Sequence, residues 1–201
     1  MFIRTLLSDP ILFIRIVLIV ILSISLHELA HGWVALSQGD DTPRKAGHLT
    51  LNPLVHLGWE SMIFLCVAGV AWGQMPVNPS KFRHRKLSNI MVSAAGPLLN
   101  LALGIFFLVL MKLVDIYELT EILSFNFLYL ASHINITLFL FNLLPIPPLD
   151  GFHIYSEIFP ALKPLENTQF GLFALVLLFL IPEFGEGLSA IADLIINIGV
   201  G

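Results

Sequence analysis

The sequence predicts an all-α polytopic membrane protein: a bundle of about four to six membrane helices with a short re-entrant or β-hairpin segment near a polar site. Three observations carry this. Of 201 residues, 57% are hydrophobic and 12% charged, whereas soluble domains average roughly 45–50% apolar and about 25% charged. With half the usual charge, lipid has to solvate much of the surface, and the mean hydropathy of +0.88 agrees. Second, apolar runs of bilayer-spanning length are separated by short breaks rich in Gly, Pro and Asn. Third, the motif with the most chemistry in it, His27-Glu28-Leu29-Ala30-His31, continues directly from one of those runs. The net charge of −4 is too small to imply nucleic acid as a partner. Cys66 is the single cysteine, so an internal disulfide and a Cys-based zinc site are excluded, and it reads as a small buried hydrophobe.

Asp9-Pro10 starts the first long helix, with Asp as cap and Pro in the first turn. It continues to about Gln38, where Gly39-Asp40-Asp41-Thr42-Pro43 breaks it. Arg4 ahead of an apolar stretch has the look of a signal peptide. The stretch contains no small-residue cleavage site and leads straight into His27, so it is read as a retained membrane helix. At about 1.5 Å per residue, His27 lies roughly 25 Å from Pro10, close to one face of the hydrocarbon rather than its midplane. Residues 44–58, with Gly47, Pro53 and Gly58, suit a short extended or hairpin segment. Trp59 to Trp72 is a second apolar run, short for a span and containing Glu60 and Gly69. A basic loop follows, Lys81 to Lys86.

Ser88-Asn89 is the expected cap of a third apolar helix, Ile90 to about Met111, which carries Gly96-Pro97 and Asn100. An acidic connection, Asp115, Glu118 and Glu121, leads to a fourth helix, about Ile122 to Leu144. This one holds Asn126, His133, Asn135, Thr137 and Asn142. Pro145-Ile146-Pro147-Pro148 stops it, and Leu149-Asp150-Gly151 follows. The tail offers Phe170 to Ile181, then Pro182 and a weaker apolar stretch, Leu188 to Val200. The expectation is one integral membrane domain, residues 1–201, with its core over about 10–158 and further membrane segments over 168–200.

His27 and His31 stand at i and i+4, one turn apart on a single helical face, so both imidazoles can reach one metal ion. Glu28 projects beside them and can take a proton from water. Catalytic zinc commonly has three protein ligands and a fourth position left for water. Asp150 is the candidate third ligand: it follows a proline stop, precedes a glycine, and is an ionisable group at membrane depth. Asp115, Glu118 and Glu121 share one loop, and Glu157, Glu166, Glu183 and Glu186 read as surface residues. His153, three residues beyond Asp150, could orient that carboxylate. His48, His56, His84 and His133 read as ordinary polar contacts, and Asn135 as an interhelical hydrogen bond.

Three motifs together resemble those of the site-2 proteases, polytopic intramembrane zinc metalloproteases: His27-Glu-Leu-Ala-His31, Gly96-Pro97-Leu-Leu-Asn100, and Asn142-Leu-Leu-Pro145-Ile-Pro147-Pro-Leu149-Asp150-Gly151. Gly47 to Pro53 and Pro76-Val77-Asn78-Pro79 are similar to the compact prokaryotic branch without PDZ or CBS domains. The resemblance implies one zinc ion held by His27, His31 and Asp150, with Glu28 as general base. It also implies that Asn142 and Asn100 contact the substrate backbone or the developing oxyanion. The implied substrate is a transmembrane protein or peptide in the lipid bilayer, and the implied location a bacterial inner membrane. A membrane substrate has to unwind before water can attack, and an edge strand could hold it extended; residues 46–53 are the expected strand. Two rival readings remain. One is a CAAX-type membrane protease, which uses a downstream glutamate where this chain has Asp150-Gly151. The other is a transporter or scaffold that needs no metal.

Charge does not orient the chain, because either threading puts seven of the ten Lys and Arg residues on one side and three on the other. The ligands do constrain it. His27 and His31 lie toward the C-terminal end of their helix and Asp150 follows the end of another, so the two helices should run in the same direction. The Trp59–Trp72 segment then makes no net crossing and is re-entrant, and the site opens toward the cytoplasm.

Overall fold

The computed structural model describes residues 2–118, 124–166 and 170–200, and every regular element among them is helical. Glu121 and Ile122 lie outside the described residues. A short helix α1 (Ile3–Ser8) precedes α2 (Pro10–Ser37), whose first turn is closed by the Asp9 carboxylate accepting from the Leu12 amide at 2.9 Å. With 28 residues, α2 is long and apolar enough to cross a membrane, as is the 32-residue α5 (Arg85–Ile116). Between α5 and the tail lie α6 (Phe125–Asn142) and the short α7 (Asp150–Ile158). The tail forms α8 (Phe170–Leu180) and α9 (Pro182–Val200), bent by 80° at Pro182 as one broken span or re-entrant loop.

Helix α5 starts at Arg85, one turn earlier than the Ser88-Asn89 cap predicts. The Ser88 hydroxyl accepts from the His84 amide at 3.2 Å and donates to the Gln38 side chain at 2.9 Å, joining α5 to the end of α2. Cross-helix pairs fix directions. His31 and His27 of α2 meet Val92 and Asn100 of α5, and Asn100 and Gly104 of α5 meet Asn135 and Ser132 of α6. Each pairing is antiparallel, so α2 and α6 run the same way. Met111, Val114, Leu128, Ile136, Ala192 and Ile196 pack α5, α6 and α9 into the main apolar core. Outward-facing Leu18, Leu22, Leu98, Ile105 and Phe106 are exposed, as lipid-facing positions should be.

Residues 44–58 depart from expectation. Thr42–Lys45 form a one-turn helix α3, 46–51 are turn and bend, and Asn52 caps α4 (Pro53–Ala68) through its bond from the Leu54 amide. The His48 and Thr50 amides find acceptors in Pro43 and His48, so their hydrogen bonds close local turns instead of a ladder. Gly58, at φ 68°, kinks α4. The helix descends to Gly69, which packs against Phe2, itself stacked on Phe13 near the start of α2. Residues 70–78 then return without helix. The Ser61 hydroxyl both donates to the Trp72 carbonyl and accepts from its amide, at 2.7 and 2.8 Å. The Gln74 amide donates to the His56 carbonyl at 2.9 Å. Both ends of the Trp59–Trp72 segment are thereby held at one level, and the segment returns to where it began.

The returning segment is clasped to the end of α2. Asp40 is fully buried and accepts from the Thr42 amide at 2.9 Å and the Asn78 amide at 2.6 Å. Burial pushes the Asp40 carboxyl up, but these hydrogen bonds and the nearby Lys81 ammonium outweigh it and hold it below the usual range. Lys45 and Lys81 hold neighbouring Asp41 down to about 2 through ion pairs at 2.6 Å each.

Candidate active site

Three helices and one turn build the site. His27 and His31 face inward from α2, both buried. Asp150 opens α7, delivered there by the proline turn after α6, where a carboxylate in the first turn of a helix is electrostatically favoured. Its Oδ2 lies 3.0 Å from His27 Nε2 and 3.3 Å from His31 Nε2, and the two Nε2 atoms lie 3.0 Å apart. All three donor atoms sit within 4.8 Å of one another.

The far side of each imidazole decides what this cluster can hold. His27 Nδ1 lies 2.5 Å from Asn100 Oδ1, and His31 Nδ1 lies 2.7 Å from the Val92 carbonyl. Both partners only accept, so each Nδ1 carries the proton and each Nε2 presents a lone pair. Two lone pairs and a carboxylate oxygen then converge with no donor among them. That arrangement is repulsive on its own and suits a cation, and two His with one carboxylate is a catalytic zinc ligand set. Gly96 makes the space: a Cβ built there would overlap Nε2 of both histidines. The donor set therefore fits zinc.

Asn100 is fully buried, and its side-chain amide donates to Asn135 Oδ1 at 3.1 Å, while the Asn135 amide donates to the Ala131 carbonyl at 2.9 Å. Expected to reach substrate, Asn100 lines the cavity beside the cluster and also stands behind His27, where its Oδ1 accepts from Nδ1 and orients the ring. Outer hydrogen bonds of this kind are typically worth 10–100-fold in metal affinity. Asn100→Ala is expected to lower zinc affinity by about that factor while leaving secondary structure intact, measured by zinc-buffer titration and circular dichroism; unaltered affinity would refute the positioning role.

Glu28 is buried beside the cluster, its carboxylate packed on Gly73, where a Cβ would overlap it. Asn142 lines the same cavity of about 900 Å³. One N–H of its amide goes to the Leu138 carbonyl at 2.9 Å, and an amide has a second to give. His153, expected to orient Asp150, turns away to Glu166 at 3.5 Å, because both stand on the cavity rim. His56 Nε2 donates to the Thr50 carbonyl at 2.7 Å, and His133 meets Asp193 and Ser189 at 3.2 and 3.1 Å. Most of the stretch 70–77 lines the cavity, a wall to which the Trp59–Trp72 run and the Pro76–Pro79 motif lead but which neither identifies in the sequence. Its signal was the cluster of breakers at Gly69, Gly73, Pro76 and Pro79, which rules out helix but names no partner.

Residues 15–182 match the model of Peptidase family M50. The YwhC protein of Bacillus subtilis is 39% identical over 176 residues, covering 83% of this chain and 80% of its own length. The Rip2 protein of Mycobacterium tuberculosis is 31% identical over 173 residues, 81% of this chain and 65% of its own. The Rip2 protein of Mycolicibacterium smegmatis is 29% identical over 194 residues, 88% of this chain and 72% of its own. All three carry the words zinc metalloprotease in their names. No solved structure matches this chain.

Proposed function

The chain belongs to peptidase family M50, the site-2 proteases, and on that footing we propose how its residues divide the work of peptide hydrolysis within a membrane. It is an intramembrane zinc metalloprotease, and its substrates are membrane proteins. The observation that carries the residue assignment is the convergence of His27 Nε2, His31 Nε2 and Asp150 Oδ2 with both Nδ1 protons already committed. His27, His31 and Asp150 hold the zinc, which when bound activates water and polarises a carbonyl.

Glu28 accepts the proton of the attacking water and returns it to the leaving amine. Asn142 turns its free N–H toward the developing oxyanion, a contribution of order 3 kcal/mol where water is excluded. Residues 70–75, rather than the expected 46–53, hold the substrate extended. Their Trp72 and Gln74 amides bond inward to Ser61 and His56, and the alternation of an extended chain turns Gly73 and Met75 to the opposite edge.

The test is zinc content together with cleavage of a model transmembrane substrate. Asp150→Ala is expected to lose both, since two histidines alone leave the ion weakly held; full zinc occupancy in that variant would overturn the ligand set.

The site opens toward the cytoplasm of an inner membrane. The parallel course of α2 and α6 and the returning 59–72 segment support this reading, because they put residues 38–84 on the metal's side of the membrane. Cysteines introduced at Thr42 and Arg83 are expected to react together with a cytoplasmic label; labelling from opposite sides would sink the topology.

A further inference from the structure

At the opposite end of α2 from the metal donors stands a charge without a partner. Arg15 is half-buried five residues into a membrane helix, and no hydrogen bond or ion pair reaches its guanidinium among the described residues. An arginine at that depth is costly unless it meets an anion or water. It lines a cavity of about 280 Å³ between the starts of α2 and α6, with Asp9, Asn126 and Tyr129. The cavity falls just below the roughly 300–1,000 Å³ common for ligand sites, room for a headgroup rather than a whole ligand. Arg15 is about 7.5 Å along the helix from Pro10, the level of a headgroup–hydrocarbon boundary, and about 18 Å from His27.

The polar groups of the cavity are of both signs. Arg15 offers a fork of donors matched to a phosphate, and the Asn126 amide beside it has no partner among the described residues. Asp9 uses Oδ1 to cap α2 and keeps its second oxygen for another donor. The Tyr129 hydroxyl is spent on Asp193 at 2.5 Å, so it shapes the wall and neither adds a donor nor takes the anion. A simple anion would answer Arg15 and be repelled by Asp9. A zwitterion answers both.

We infer that this cavity binds the headgroup of a phosphatidylethanolamine-type lipid, its phosphate on Arg15 and Asn126 and its ammonium on Asp9, with the acyl chains following the exposed apolar side of Ile11 and Leu12. The site faces the leaflet opposite the metal centre and belongs to no step of peptide hydrolysis.

The full chain, reconstituted in nanodiscs of equal phosphatidylethanolamine and phosphatidylglycerol, then released into mild detergent, is weighed by native mass spectrometry to count retained lipid. The wild type is expected to keep one phosphatidylethanolamine in about tenfold excess over phosphatidylglycerol, and Arg15→Gln to lose it by about the same factor. Asp9→Asn is expected to keep a lipid but abolish the preference, an outcome that misfolding does not imitate. Equal retention by the wild type and Arg15→Gln overturns the site, and equal retention of the two lipids by the wild type overturns the zwitterion. Displacement of the lipid by millimolar inorganic phosphate would make this a free-phosphate site and overturn the lipid assignment.

Discussion

Glu28→Gln is expected to lower cleavage of a transmembrane substrate by about 10³-fold while zinc content stays at the wild-type level. The amide keeps the shape of the carboxylate against Gly73, so the fold has no reason to change. It cannot accept a proton, so the attacking water is no longer deprotonated as it adds. Glu28 lies outside the cluster formed by His27, His31 and Asp150, which is why the metal should remain. Single-turnover cleavage in proteoliposomes with zinc measured on the same sample separates the two effects. A rate within tenfold of the wild type would remove Glu28 from the proton path.

Gly96→Ala should be as damaging by a different route. The added methyl would occupy the space faced by both Nε2 atoms, and it belongs to the backbone of α5, so it has no rotamer by which to leave. The expected result is loss of zinc and of cleavage together, in a protein that still inserts and retains its helix content. Gly185→Ala, at a position with nothing within 4 Å of the new methyl, is the matched control and should keep full activity. Wild-type zinc content in Gly96→Ala would mean that the donors do not converge as they are placed here.

What could be read beforehand follows from which information is local. The i, i+4 histidines on an apolar run and the proline stop before Asp150 are chain-local signals. The structure brings these residues within bonding reach of one another. Helix α2 falls close to its expected limits because lipid selects for length and apolarity, which the sequence states directly, whereas α5 runs about five residues beyond Ile90 and Met111 at its two ends. Partners across helices are not stated there. Asn100 looks equally suited to a substrate and to an imidazole, and only the antiparallel packing of α2 on α5 shows that it meets His27. Nor does His153 reveal that Glu166 stands nearer than Asp150. The expected strand at 46–53 failed because turn-forming residues resemble hairpin residues when read alone. The segment that lies along the site is 70–78, which shows no period-2 pattern since its anchors are a serine hydroxyl and one carbonyl rather than a neighbouring strand.

The candidate ligands His27, His31 and Asp150 bridge the first membrane helix and the turn that ends α6, parts of the chain far apart in sequence. A metal held there is a cross-link as well as a reagent. Anything that binds the folded state alone stabilises it with the logarithm of its concentration, about 4.1 kcal/mol at a thousand times its dissociation constant. The cohesion of the bundle is therefore expected to weaken as free zinc falls, by the same logarithm.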